Sequence, residues 1–195
     1  SNGELEFRTL NDDGTKTDYW LMNKPHAPYL VMVAAGTFDT VGTRWNNIPV
    51  RYFVEPAWKN SASQIFKHTT EMLTLYGNLF GVPYMWPKYD QIVVRDFVSG
   101  AMENTSATVH GTSIYKDERA LADNTGEDII AHEIMHQWFG DLVTCKSWSY
   151  IPLNEGFASL GEYLWREHKY GKDDLDWYLN QELKGYLREY NRGKA

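Results

Sequence analysis

The 195-residue chain is predicted to form an α+β fold, because strand-like segments fill its first part and helical patterns fill its second part. Several short apolar runs before residue 55 have the length of strands, and the short links between them favour antiparallel neighbours. Later segments repeat apolar residues at every third or fourth position, which is typical of helices. Apolar residues make up 43% of the chain and aromatic residues 15%, which is enough for a core and excludes a disordered protein.

The first part of the chain is predicted to contain strands over residues 4–10, 29–35, 37–41 and 49–54. A helix over residues 61–80 follows and ends at Gly81-Val82-Pro83. Its core-facing stripe consists of Ile65, Phe66, Thr69, Met72, Leu73, Tyr76, Leu79 and Phe80. The apolar run within residues 90–97 then predicts a buried strand.

The next helix is predicted to begin near Gly126, with Thr125 as N-cap and Asp128 in the place of the capping-box glutamate. Gly140 is a good stop for it. Its side chains are apolar nearly all round, which predicts a buried helix. The two helices predicted after it begin around Asn154 and at Asp173-Asp174, the second ending near Tyr190.

The composition also limits the partners of the chain. The net charge is −7 and there is no basic cluster, so nucleic acid is not an expected partner. The longest apolar run, Tyr29 to Ala35, is too short to cross a bilayer, so no membrane segment is expected. The single cysteine, Cys145, excludes an intrachain disulfide but leaves both reducing and oxidising compartments open.

The segment His132-Glu133-Ile134-Met135-His136 has the pattern of a catalytic zinc site. Two histidines four residues apart lie on the same side of a helix, so both can bind one Zn²⁺ per chain at about 2.0–2.1 Å. Glu155 in the following helix supplies a third ligand, which leaves the fourth position open for water. Glu133 is rotated by about 100° from His132 and can act on that water as the general base.

The alternative interpretation of this segment is a surface helix with two solvated histidines. The neighbouring residues argue against it, because they make the helix a buried one. A buried glutamate with two buried histidines is costly unless a cation compensates the charge. The apolar neighbours are Ile129, Ile130, Ala131, Ile134, Met135, Trp138 and Phe139.

A second motif, Gly100-Ala101-Met102-Glu103-Asn104, precedes the first. Alone it would indicate only a turn and a polar patch. Together the two motifs and Glu155 strongly resemble the aminopeptidase-N-like family of zinc metallopeptidases. The resemblance continues through residues 137–144 and 153–158. It covers essentially the whole chain, since the strand at Tyr29-Leu30 also resembles the end of the N-terminal β-domain of that family.

The resemblance implies a thermolysin-like zinc metallopeptidase catalytic domain, truncated, with a small mixed sheet and a helical lobe. Residues 1–40 would be the last strands of an N-terminal β-domain and residues 41–195 the catalytic domain. The implied substrates are peptides with a free N-terminus, cleaved at the first peptide bond. Glu103 would bind the α-amino group, and the backbone of Gly100 to Met102 would run beside the substrate as an added strand. The whole segment, Gly100, Ala101, Met102, Glu103 and Asn104, is therefore expected to bind substrate.

The chain also departs from the family pattern. A tyrosine well downstream of the third ligand stabilises the oxyanion in the family, and the tyrosines after Glu155 lack its context. An oxyanion donor is typically worth about 10²–10³ in turnover. We therefore expect the chain to be a piece of a larger aminopeptidase, with the remaining domains of that protein as partners, and to be slow alone. Tyr150-Ile151-Pro152 stands where the family usually has a tryptophan.

Other functions stay open at this level. A thermolysin-type endopeptidase shares the ligand set. Its substrate has no free amino group next to the cleaved bond, so a carboxylate at Glu103 would have nothing to bind there. A peptide-binding domain without catalysis is disfavoured by Glu133 beside both histidines. Epoxide hydrolysis, known for a branch of the family, is neither supported nor excluded. Asp141 could be an outer partner of a histidine ligand or a structural residue in a turn.

Overall fold

The computed structural model describes residues 1–193 and shows a hairpin and a mixed sheet in the first two thirds of the chain. The hairpin pairs β1 (Glu4–Leu10) with β2 (Lys16–Leu21). The five strands of the sheet are β3 (Asp39–Trp45), β4 (Ile48–Val54), β5 (Tyr89–Val94), β6 (Ala101–Met102) and β7 (Ala107–Gly111). Their order is β3-β4-β5-β7-β6, with the outer pairs antiparallel and the inner pairs parallel. The small mixed sheet implied by the resemblance is thus confirmed.

Helices cover one face of this sheet and complete the α+β fold. They are α1 (Lys59–Ile65), α2 (Thr69–Phe80), α3 (Glu118–Asp123), α4 (Glu127–Met135), α5 (Glu155–Tyr170) and α6 (Lys172–Asn191). The main core lies between strands β4 and β5 and helices α2, α4 and α5. Within the described residues, no helix combines the length and the apolar character that crossing a membrane requires.

The strand predicted over residues 29–35 is wrong. The structure has a 3₁₀ turn at Pro28–Leu30 followed by irregular chain. Side chains take the place of a neighbouring strand here, because the Leu30 carbonyl accepts from Asn2 and Asn104 and the Met32 N–H donates to Asn2. The strand predicted over 37–41 begins instead at Asp39 and continues to Trp45. The domain boundary predicted at residue 40 falls within β3 and stays a prediction.

The single helix predicted over residues 61–80 is two helices, α1 and α2, with a break at Phe66 to His68. The break places the Phe66 ring in the core, where it is fully buried, and frees its carbonyl to accept from Thr69 N–H. Leu79, predicted to face the core, is 52% exposed. The helices predicted at Asn154 and at Asp173 are confirmed as α5 and α6.

Helices α4 and α5 approach each other closely at Gly161. A Cβ there would lie 2.6 Å from the Cβ of Met135, and Tyr76 donates a hydrogen bond to the Gly161 carbonyl at 2.8 Å. Only glycine fits this contact without displacement. Since Glu155 belongs to α5, the contact also fixes the distance between the two helices that carry the candidate metal ligands.

Gly161→Ala is expected to lower the free energy of unfolding by about 1–3 kcal/mol, because the added methyl group overpacks the α4–α5 contact. Gly185→Ala is the matched control, since a Cβ at Gly185 in α6 has no neighbour within 4 Å. It should stabilise the chain by up to about 1 kcal/mol through helix propensity. Urea unfolding of both variants measures the difference, and an unchanged Gly161→Ala midpoint would contradict the packing argument.

Candidate metal centre and active site

Helices α4 and α5 bring three predicted metal ligands together. His132 lies in the last turn of α4, His136 directly follows that helix, and Glu155 is the first residue of α5. The Nε2 atom of His132 lies 3.2 Å from Glu155 Oε2, and the Nε2 atom of His136 lies 3.6 Å from the same oxygen. The two imidazole nitrogens and the carboxylate therefore converge on one small volume.

The outer nitrogens of both rings are bonded away from that volume. His132 Nδ1 lies 2.7 Å from Glu162 Oε1, and His136 Nδ1 lies 2.9 Å from the Phe139 carbonyl oxygen. A proton on Nδ1 suits both acceptors and leaves each Nε2 lone pair free for a cation. This is the arrangement that outer partners give to metal-binding histidines.

The charges around the three ligands favour a cation. Burial alone would lower the pKa of His132, but hydrogen bonds with Glu155 and Glu162 outweigh it and raise the pKa to about 10. The pKa of His136 is also raised, by Glu155 and nearby carboxylates against its burial. The same contacts hold the pKa of Glu155 far below its usual range. A divalent cation satisfies this surplus of negative charge, and two imidazoles with one carboxylate are a donor set that zinc accepts.

Glu133 lies on α4 between the two histidines and is 5% exposed. Burial raises the pKa of its carboxyl to about 8, although both histidines act in the opposite direction. Its Oε2 atom is buried and has no hydrogen-bond partner among the described residues. A carboxylate with a raised pKa and an unused oxygen beside a cation site is suited to proton transfer near neutral pH.

Glu103 approaches this site from the sheet. Its carboxylate, the carboxylate of Glu133 and a ring nitrogen of His136 have atoms that lie within 4.8 Å of one another. Glu103 is 6% exposed and directly follows β6, the edge strand of the sheet. A free edge beside the ligands can accept an extended peptide as an added strand.

Hydrogen bonds hold the segment around Glu103 against the end of α4 and against Leu30. The Gln137 side chain, next to His136, donates to the Glu103 carbonyl at 3.2 Å and accepts from Ser106 N–H at 3.0 Å. Asn104 donates to the Leu30 carbonyl at 3.1 Å. Gly100 allows β6 to lie against α4, since a Cβ there would come within 3.0 Å of Ile129. Within the segment, Ala101 and Met102 pair with β7.

Tyr29 and Asp141 lie at the margin of the site. The Tyr29 hydroxyl accepts from the side chain of Asn154, the residue before Glu155, at 3.0 Å. Asp141 is 3% exposed, and burial together with the charge of Glu103 raises its pKa well above the usual range. The outer partners of the histidine rings are Glu162 and the Phe139 carbonyl, not Asp141.

Sequence reasoning missed Glu162, Gln137 and Tyr29. Glu162 could have been found, because it lies seven residues after Glu155 and therefore on the same face of α5. Gln137 follows the second histidine directly but gives no signal of its contact with Ser106. Tyr29 lies in a segment predicted as a strand, so its contact with Asn154 had no sequence signal.

Comparison with known proteins gives a consistent result. Residues 65–192 match the peptidase family M1 domain. The chain is 34% identical over 189 residues to glutamyl aminopeptidase of Bos taurus, covering 94% of this chain and 19% of that protein. It is 34% identical over 154 residues to aminopeptidase M1-B of Oryza sativa subsp. japonica, and the match covers 76% of this chain and 18% of that protein. It is 36% identical over 141 residues to aminopeptidase M1 of Arabidopsis thaliana, and the match covers 70% of this chain and 16% of that protein. The chain spans 16–19% of the length of these curated relatives.

Proposed function

This chain belongs to the peptidase M1 family, and from that premise we propose that it carries the metal-binding and base-bearing part of a zinc aminopeptidase active site. The proposed reaction is hydrolysis of the first peptide bond of peptides with a free N-terminus. The observation that carries this proposal is the position of Glu103, a buried carboxylate beside both Glu133 and His136. An anchor for a terminal ammonium group at that point lets only the first peptide bond reach the base.

The proposed ligands of one Zn²⁺ are His132, His136 and Glu155. Zinc bound by them would lower the pKa of a water and polarise the scissile carbonyl. Glu162 and the Phe139 carbonyl contact the Nδ1 atoms of the two imidazole rings, which would leave each Nε2 free to hold the ion. The surplus of carboxylates around His132 supports this assignment, since it stabilises positive charge even in the absence of metal.

Glu133 is the proposed general base and acid. It takes a proton from the attacking water and then donates it to the leaving amine. Its burial supports this role, because a raised pKa allows the same carboxyl to accept and release a proton near neutral pH. No side chain has to form a covalent bond with the substrate.

Substrate alignment is assigned to Gly100, to strand β6 and to Glu103 directly after it. The backbone of Gly100, Ala101 and Met102 pairs with the extended peptide, and Glu103 binds its α-amino group. Asn104 keeps this segment in place through its bond to Leu30. Relatives named for glutamyl residues and relatives without such a name match the chain at similar identity. The proposal therefore states how the α-amino group of the substrate is bound and does not state which first side chain is preferred.

The test compares leucyl-aminomethylcoumarin with its N-acetylated form as substrates of the zinc-loaded chain. We expect the free-amine substrate to be cleaved much faster than the acetylated one, because acetylation removes the positive charge that Glu103 binds. The expected rate is low, so the assay needs long incubation and a zinc-free control. Equal cleavage of both substrates would overturn the aminopeptidase proposal and favour an endopeptidase.

A further inference from the structure

Helix α6 is connected to the metal centre by two consecutive hydrogen bonds. The hydroxyl of Tyr178, in α6, donates to Glu162 Oε2 at 2.6 Å. The other oxygen of the same carboxylate, Oε1, lies 2.7 Å from His132 Nδ1. The two oxygens of Glu162 are therefore both engaged, one by α6 and one by the first proposed zinc ligand.

Tyr178 is itself held in a defined position. The guanidinium group of Arg166 lies 4.1 Å from the centre of its ring. Arg166 also bonds the carboxylates of Asp128 in α4 and Asp174 in α6 at 2.7–2.8 Å. The ring of Tyr163 packs edge-on against Tyr178 at 5.8 Å. These contacts fix the hydroxyl relative to α4 and α5 and do not leave it as a mobile surface group.

A carboxylate that orients a metal-binding histidine works only if its own rotation is restricted. With one oxygen free, Glu162 could rotate and carry the imidazole of His132 with it. The short bond from Tyr178 removes that freedom. We propose that Tyr178 is a positioning residue for the metal centre, which holds Glu162 and thereby fixes the ring of His132, so that α6 contributes to metal affinity. This inference rests on the proposed function of the site as a zinc centre.

The test measures zinc affinity by competition with a chelator for the wild-type chain, Tyr178→Phe and Tyr163→Phe. Tyr163→Phe is the matched control, because it removes a hydroxyl from the adjacent ring without touching Glu162. Partners in the outer shell are typically worth about 10–100-fold in metal affinity. Tyr178 acts one bond farther out, so we expect a loss of about tenfold for Tyr178→Phe and no change for Tyr163→Phe.

Two further measurements separate positioning from general stability. Urea unfolding of the metal-free chains should give similar free energies for the two variants. The visible spectrum of the Co²⁺-loaded chain should change for Tyr178→Phe only, since it reports ligand geometry. An unchanged zinc affinity and Co²⁺ spectrum in Tyr178→Phe would overturn this inference while leaving the zinc proposal intact. A wild-type chain that binds no zinc would overturn the proposed function, and this inference with it.

Discussion

Replacing Glu133 by glutamine is expected to abolish hydrolysis while zinc stays bound. Glutamine keeps the size of the side chain but cannot accept the proton of the attacking water. Positioned general acid–base groups contribute typically about 10²–10⁴ in rate, so the residual activity should fall to the level of the metal-free control. Because Glu133 is not one of the three proposed ligands, His132, His136 and Glu155, its loss leaves that ligand set complete.

The measurement pairs the turnover of leucyl-aminomethylcoumarin with the zinc content of the purified chain. Glu167→Gln is the matched control, since Glu167 lies on the exposed side of α5. Unfolding provides a third readout: Glu133→Gln removes a buried carboxyl with an unpartnered oxygen, so stability should be equal or higher. A Glu133→Gln chain with bound zinc and more than about a tenth of the wild-type rate would contradict the assigned role.

The convergence of His132 and His136 could be predicted because their spacing is local. His132 and His136 share one face of any helix, and the buried helix that carries them depends only on apolar neighbours. Helical spacing likewise predicts that Glu162 lies on the same face of α5 as Glu155, although Glu162 is not itself a proposed ligand. Local spacing therefore predicts that the two histidine side chains converge and that Glu162 lies on the same face as Glu155.

Contacts between distant segments could not be predicted in this way. Leu30 lies in a run that has the composition of a strand, yet its carbonyl is bonded by Asn2 and Asn104, and no strand forms. Strand β7 was missed for the opposite reason, since Thr108 and His110 are polar. Both are fully buried, and on the neighbouring strand Tyr89 bonds the Thr108 hydroxyl and Gln91 bonds His110 Nε2. In each case the deciding partner lies far away in the sequence.

The order of the sheet explains why Glu103 lies close to helix α4. Strand β7 lies between β5 and β6 in the sheet. Strand β6 is therefore the edge strand, and it lies beside α4. Gln137 then joins the end of α4 to the segment after β6. The distance between Glu103 and Glu133 thus depends on strands β5 and β7 and on one amide side chain, none of which belongs to the two motifs.

Replacing Glu103 by glutamine is expected to remove the preference for a free N-terminus. The carboxylate is 6% exposed, so its bond with a terminal ammonium group forms away from water. Loss of one partner of a buried charge pair costs about 2–5 kcal/mol, which corresponds to a fall in kcat/KM of about thirtyfold or more for free-amine substrates. N-acetylated substrates lack the ammonium group and should be cleaved no more slowly than by the wild-type chain.

Asp141→Asn is the control that separates a specific anchor from the general negative charge of the site. Asp141 is another buried carboxyl, and the charge of Glu103 contributes to its raised pKa. If Glu103 alone binds the amine, Asp141→Asn keeps the preference for free-amine substrates and Glu103→Gln loses it. If both variants lose the preference equally, the field of the whole site selects the ammonium group, and Glu103 is not the anchor. The ratio of kcat/KM for free and acetylated substrates decides between these outcomes, because it cancels any shared effect on zinc or on the base.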